Sequence, residues 1–526
     1  MKDLPIISIL TLIPLVGAVV LIGLNAANKR LARGLALGFS LAGLVLAGTM
    51  WFHFDSTSSA LQFQERHDWI PTLGAQYFVG VDGLGLLMVL LTTIVTPMAI
   101  LVSWRIDEKV PIYFSLMLFL QAGLIGTFTA LNFFHWFFFW ELSLVPAFFL
   151  IKLWGGPKRS AAATQFFIYT MVGSVAMLIS FVAIYSAVRT FDSAVKTFDF
   201  IELARMGRSG DLAAALNAHF WGGQDLTAQK LPLVIFAGVF LGFAVKVPLV
   251  PFHTWLPNTY AEAPTGVTMM LTGVMSKMGV YGFLRILLPL FPDQMRLVLT
   301  PLLWLSVATI ILPACAAFAQ RDLKRIFAYS SINHLGYCLL GVFALVKLTG
   351  TQPPWNIEKS AVLNGVLLQM FNHGLTASIL FCFVGFLEQR SGGLRGVNEF
   401  GGLRKIAPIF CGLMGISIFA SLGLPGLSGF IGEFLIFKGS FPLATWATAL
   451  SVFGLLVTAI FLLTVIQRVF NGPLNGKWSS LADLTWRERL IVIPATALMV
   501  LIGIYPQIVI GTINTTVMQM VDQLKS

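Results

Sequence analysis

Apolar segments about 20 residues long recur from one end of this sequence to the other, and no other feature constrains the fold so tightly. One such segment crosses the roughly 30 Å hydrocarbon layer of a bilayer as a helix. A soluble protein keeps about a quarter of its residues charged; here charged residues make up 11% and hydrophobic ones 57%. Closed barrels are excluded, because their strands alternate apolar and polar residues and leave no long unbroken runs. The sequence therefore reads as an all-α polytopic membrane protein.

Twenty-residue windows place about fourteen spans, near residues 5–25, 34–53, 82–104, 112–130, 132–152, 164–188, 231–250, 264–290, 296–319, 324–348, 360–387, 406–437, 442–468 and 487–513. Most connections are short. The longer ones are 54–78, 189–230 and 469–486, and DLAAALNAHF in the second reads as a short surface helix. Residues 5–25 read as a retained first helix, since Lys2 is a thin basic flank and no small-residue cleavage site stands out. The net charge of +11 does not mark a nucleic-acid partner. Its basic residues sit in short groups beside apolar runs, such as Lys29, Arg30 and Arg33, or Arg321, Lys324 and Arg325, as positive-inside loops do. Assigned to alternate sides, about nineteen Lys and Arg fall on one side and about eight on the other. That asymmetry predicts both termini on the non-cytoplasmic side.

Two spans are interrupted. In LGFAVKVPLVPFHTWLP, residues 241–257, three prolines follow Lys246; in SLGLPGLSGFIGEFLIF, residues 421–437, Pro425 and several glycines precede Glu433. Breaking a helix in mid-membrane frees backbone groups, which is tolerable only where protein or water lines the break. The breaks lie five spans apart, in the seventh and twelfth, which predicts two five-helix repeats, spans 4–8 and 9–13. Five crossings reverse direction, so such repeats must be inverted. The expected organisation is 1–110 for the first three spans, 111–291 and 292–470 for the two repeats, and 471–526 for the last span and tail.

Ionisable residues inside the spans are the sharpest functional signal: Glu141, Lys246, Lys277, His334, His373 and Glu433. Each buried charge costs roughly 2.5–3.5 kcal/mol on insertion scales, so the four formal charges oppose insertion by about 10 kcal/mol. Glu141 read alone is an ion pair locking two helices, and Lys246 a cation capping the carbonyls freed by Pro248 and Pro251. Together, acids, lysines and histidines on successive spans form the parts of a proton relay, with imidazoles able to exchange protons near neutral pH. His253, Glu262, Asp82 and Arg285 lie nearer span ends, where interfacial pairing suffices, and count as supporting residues. The four cysteines, Cys315, Cys338, Cys382 and Cys411, form no CxxC pair or Cys/His cluster and read as small buried hydrophobes. Neither a Walker A sequence nor a dinucleotide-binding GxGxxG opens a helix. The chain is expected to carry no cofactor or metal, and to take its energy from an ion gradient or from partner subunits.

Seven blocks, FFFWELSLVPAFFLI, LWGGPKRSAAATQFFIYT, GFAVKVPLVPFHTWLPNTYAEAPT, SKMGVYGFLR, LKRIFAYSSINHLGY, FNHGLTASILF and SLGLPGLSGFIGEF, together resemble the antiporter-like subunits of respiratory complex I (NADH:quinone oxidoreductase), subunit M most of all. The resemblance runs from about residue 80 to about 510. It implies fourteen helices with two inverted bundles. Glu141 would pair with Lys246, Lys277 would be the central relay residue, and His334 and His373 would line a hydrated axis. Glu433 would be the terminal acid; glutamate there is characteristic of subunit M, where subunits L and N carry lysine. Subunit L continues into a lateral helix, whereas this sequence ends at Ser526 soon after span 14, which again favours M. The family loop WLPDAH is WLPNTY here, with Asn258 and Tyr260 replacing an acid and a histidine; Gln165 stands where lysine is common, and Asn333 where serine is usual. These departures touch the proton uptake route more than the central axis.

The resemblance implies a proton-translocating translocase subunit in an energy-transducing membrane, the bacterial inner membrane being the expected one. Its partners would be the lipid bilayer and L- and N-type subunits of an NADH- or ferredoxin-driven assembly, with FMN, iron–sulfur clusters and quinone held by partner subunits. A pulse from a neighbour would open the Glu141–Lys246 pair and send a proton by Lys277, His334 and His373 to Glu433. Alternatives are a subunit of a multisubunit cation/proton antiporter or membrane-bound hydrogenase, and a scaffold whose charges are frozen ion pairs.

Overall fold

The structure is a computed structural model that describes residues 4–191, 198–221, 230–347 and 355–524. Parts of the 189–230 connection, Lys2 and both ends of the chain lie outside the described residues. Among those described, ten helices are long and apolar enough to cross a membrane, or eleven if the pair Trp486–Ile504 and Gln507–Asp522, bent by 66°, counts as one. Shorter apolar helices cover Ile6–Ile22 and Pro408–Ser421.

In chain order the helices are α1 (Ile6–Ile22), α2 (Lys29–His53), α3 (Gly83–Val102), α4 (Val110–Thr129), α5 (Phe133–Trp154), α6 (Arg159–Phe191), α7 (Phe200–Ser209), α8 (Asp211–Trp221), α9 (Lys230–Lys246) and α10 (Trp255–Glu262). They continue as α11 (Thr265–Leu290), α12 (Leu299–Ala319), α13 (Leu323–Leu345), α14 (Asn356–Ser391), α15 (Pro408–Ser421), α16 (Ser428–Leu443), α17 (Thr445–Phe470), α18 (Trp486–Ile504) and α19 (Gln507–Asp522). The DLAAALNAHF stretch is helical, within α8. The all-helical expectation needs one correction: residues in the 54–78 connection form an antiparallel hairpin, β1 (Gln62–Ile70) with β2 (Ala75–Val81). The alternating Gln62–Ile70 stretch is too polar to enter lipid and pairs its backbone outside it. This end of the molecule is called the hairpin side, and the end holding most of the basic loops the basic side.

Burial sorts the helices into rings. The apolar windows of α11 and α13 are 94% buried and that of α14 is wholly buried, so these three form the centre; those of α2, α6 and α17 are less than half buried. The outer helices expose apolar side chains, among them Val45, Val172, Ile179 and Leu456, as lipid-facing surfaces do. Cys315 belongs to that outer surface. It is exposed, contrary to its reading as a buried hydrophobe, because it shares the outward face of α12 with Leu312 and Phe318. Cys338, Cys382 and Cys411 are buried.

Both interrupted spans break. α9 ends at Lys246, and α10 begins only at Trp255. α15 and α16 are separated by residues 422–427, where Gly423 (φ 74°) and Gly426 (φ 89°) occupy the left-handed region that disfavours other residues. Close approach between centre and break depends on a missing side chain: a Cβ on Gly365 of α14 would lie 2.6 Å from the Ile436 amide nitrogen of α16. That contact brings the faces carrying Gln369 and Glu433 together.

Candidate functional site: a buried line of ionisable side chains

α11 contains two π-helical turns, Leu271–Met275 and Phe283–Leu287. In the first, the Ser276 amide donates five residues back to Leu271, and the Lys277 ammonium donates to the Thr272 carbonyl at 2.5 Å. A π turn displaces carbonyls from the regular ladder, so one becomes available to a side chain. Lys277 is fully buried and also lies 2.9 Å from His373 Nδ1 of α14. The His373 and His334 rings are 5.2 Å apart between centroids. His334, on α13, places Nδ1 3.0 Å from Glu433 Oε1 of α16 and Nε2 3.1 Å from Ser421 Oγ of α15. Gln369 Nε2 donates to the same Glu433 oxygen at 3.1 Å. Four predicted residues from four helices thus meet in one buried line, Lys277–His373–His334–Glu433, across the centre of the molecule.

The other two lie apart from it. Lys246 is buried at the end of α9, its ammonium 4.7 Å from the centroid of the Trp140 ring. It acts electrostatically on Glu141 without a direct salt bridge to it among the described residues. The indole next to Glu141 takes the ammonium onto its face, an attraction of about 0.5–2 kcal/mol. The Trp140 N–H donates to Ser174 Oγ at 3.0 Å, and Ser174 also neighbours the Glu141 carboxylate. Glu141 Oε1 is buried without a hydrogen-bond partner. Between Lys246 and Lys277 the helices touch: a Cβ on Gly279 would lie 2.7 Å from Val247 Cβ.

The supporting residues take structural positions. Asp82 caps α3 by accepting the Gly85 amide at 3.0 Å and pairs with Arg285 at 2.5 Å. Glu262 accepts the Lys158 amide at 2.8 Å, tying the loop after α5 to α10. His253 is half-buried at the break, with Nδ1 unpartnered, and belongs to no part of the line. Asn258 donates to Gln165 at 2.9 Å and accepts from Arg325 at 2.9 Å, so two of the positions that depart from the family pattern join in an amide–amide–guanidinium chain. Tyr260 is fully buried. Asn333 bridges Ile310 and Thr458, holding α12 and α17 against α13.

Sequence reasoning missed Thr272, Ser421 and Gln369. Gln369 was open to discovery, since it precedes His373 by four residues and so shares its helix face. The π turn and the Ser421 contact arise from tertiary packing and leave no signature in spacing.

Comparison with known proteins places this arrangement in context. Residues 130–460 match the family described as NADH:quinone oxidoreductase/Mrp antiporter, TM. The chain is 35% identical to NADH-quinone oxidoreductase subunit M of Rhodobacter capsulatus, covering 98% of this chain and 96% of that one. It is 37% identical to F(420)H(2) dehydrogenase subunit M of Methanosarcina mazei, over 96% and 95%. Among solved structures, a chain of respiratory complex I from Thermus thermophilus with bound NADH superposes with a TM-score of 0.82 at 27% identity, covering 99% of this chain and all of that one. A chain of the Mrp complex from Dietzia sp. shares the fold at the same TM-score and 18% identity, with both chains fully covered.

Proposed function

The chain belongs to the NADH:quinone oxidoreductase/Mrp antiporter transmembrane family, and from that premise we propose that its buried line carries protons across the membrane. It is a multi-pass membrane protein and a proton-translocating subunit of a complex I-type quinone oxidoreductase, with the redox chemistry on partner subunits. The observation that carries the route is the Lys277–His373–His334–Glu433 line: two hydrogen-bonded pairs joined by a histidine–histidine contact, buried at the centre of the helices where ionisable groups are costly.

The proton moves as follows. With its ammonium on the Trp140 face and no direct salt bridge to Glu141, Lys246 represents a loosened gate, which opens fully when the acid withdraws and the cation yields its proton more readily. Water admitted between α9 and α11 conducts that proton to Lys277. Lys277 gives a proton to His373 Nδ1, His373 passes its Nε2 proton to His334 Nε2, the nitrogen beside the Ser421 hydroxyl, and His334 gives its Nδ1 proton to Glu433 Oε1. Glu433 releases it through the break between α15 and α16. Moving one proton against about 150 mV costs roughly 3.5 kcal/mol; removing a close acid from a lysine changes its proton affinity by one to three units, about 1.4–4 kcal/mol, enough to gate the step. The basic side is the cytoplasmic one, which puts both termini outside. Counting α1, the broken pairs α9/α10 and α15/α16, and the bent pair α18/α19 as one crossing each gives fourteen, with inverted repeats over 111–291 and 292–470. L- and N-type neighbours hold the flanking positions, and partners carry FMN, iron–sulfur clusters and quinone.

Lys277→Met in the reconstituted whole complex tests this reading. Proton uptake attributable to this subunit falls at least tenfold while the complex still assembles and transfers electrons. An unchanged proton-to-electron ratio would refute the route and leave the buried charges as scaffold.

A further inference from the structure

Lys277 has a second outlet within reach. Tyr281 and Arg285 follow it at four-residue intervals on α11, so the three side chains climb one helix face toward the hairpin side. From Lys277 to Arg285 the rise is only about 12 Å. Beyond Arg285 opens a cavity of about 180 Å³ lined by Asp82, Arg208, Arg285, Ser59 and Gln519. A proton resting on Lys277 therefore stands one tyrosine away from a cavity with charged residues in its wall at the hairpin side, without passing through His373, His334 or Glu433. Such a shortcut would discharge the gradient.

We propose that the partly buried Arg285–Asp82 pair is an electrostatic seal that keeps protons on Lys277 from escaping to the hairpin side, and so forces them along the line to Glu433; this rests on the route proposed above. Three features support it. The guanidinium carbon lies 5.7 Å from the Tyr281 ring centroid, so the cationic end of the pair faces the proton path, while Asp82 is held at the start of α3 by the Gly85 amide. A guanidinium keeps its proton at every physiological pH, so it repels an arriving proton and cannot relay one. Tyr281 is fully buried, with its O–H committed to the Phe128 carbonyl at 3.1 Å, so it has no free proton to pass outward. Arg285 itself sits in the second π-helical turn, and its Nε is buried without a partner, so the guanidinium spends only part of its donors on Asp82. Among the described residues Arg208, on the same cavity, forms no ion pair and adds a second positive charge at the mouth.

The test is passive proton leak in liposomes holding the whole complex, without electron donor, under an imposed potential. Arg285→Gln is expected to raise the leak about tenfold, and Arg285→Lys, which keeps the charge, to stay within about twofold of the parent. Adding Lys277→Met to Arg285→Gln is expected to abolish the extra leak. A leak unchanged in assembled Arg285→Gln, or raised but indifferent to Lys277→Met, overturns the seal. Should Arg285→Gln fail to assemble, Arg285→His decides instead: at alkaline pH, where the imidazole is neutral, its leak is expected to exceed that of Arg285→Lys severalfold, and equal leaks overturn the proposal. Pumping by Lys277→Met alone judges the route separately, so loss of the seal and loss of the route are told apart.

Discussion

The two halves of the predicted relay are built on different chemistry. Around Lys246 the ammonium rests on an indole, Glu141 Oε1 is unpartnered, and apolar helix contact separates the lysine from the next carrier. Around Lys277 the ionisable groups face one another, ammonium to imidazole, imidazole to imidazole and imidazole to carboxylate, with Thr272, Ser421 and Gln369 adding bonds and Gln369 Oε1 left unpartnered. A cation on an aromatic face is held by an attraction without a single geometry, so it moves at small cost. The two hydrogen-bonded pairs of the line sit in a low-dielectric core, where directional bonds are expensive to leave unmade. The difference teaches that the first region is suited to switching and the second to conducting.

Lys246→Met is the strongest way to break that comparison. If the first region gates the second, pumping driven by electron transfer falls at least tenfold, measured as proton uptake per quinone reduced in vesicles. Pumping that persists would show the line working without its switch. An intermediate effect is expected from Trp140→Leu, which removes the aromatic perch, worth about 0.5–2 kcal/mol. Lys246 then shifts toward Glu141, pumping slows severalfold, and the carboxylate stretching band of Glu141 moves in difference infrared spectra; an unmoved band would show that the indole does not set the lysine's position. The smallest effect belongs to Gln369→Leu, which deletes one of the bonds to Glu433. A lost hydrogen bond to a charged group amounts to about 1.5–3 kcal/mol, part of which the His334 bond retains, so a few-fold slowing is expected. A loss as large as that of Lys246→Met would mean that conduction, not switching, limits turnover.

Much of this was legible in the residues themselves. Apolar length alone gave the membrane and the helical class, with ten or eleven spans of the expected fourteen found among the described residues, because lipid leaves the backbone no choice but helix. The cost of burying charge singled out Glu141, Lys246, Lys277, His334, His373 and Glu433 without any partner being known. The Pro and Gly clusters located both breaks. The β1–β2 hairpin escaped notice because a short polar strand carries little signal beside twenty-residue apolar runs. The exposure of Cys315 escaped because an apolar residue suits lipid and core equally well.

Which ionisable groups touch is another matter. His334 and Glu433 are 99 positions apart and Lys277 and His373 are 96, and no spacing rule reaches that far. Their meeting depends on Gly365 letting α14 and α16 close and on a π turn offering Lys277 a carbonyl. The same packing set the Lys246 ammonium on the Trp140 ring, with Glu141 acting on it electrostatically and not through a direct salt bridge. Composition and periodicity thus determined that the chain crosses the membrane and buries titratable groups; helix packing decided which of them became neighbours, because contact between distant residues follows from how side-chain surfaces interlock and not from the order in which they are written.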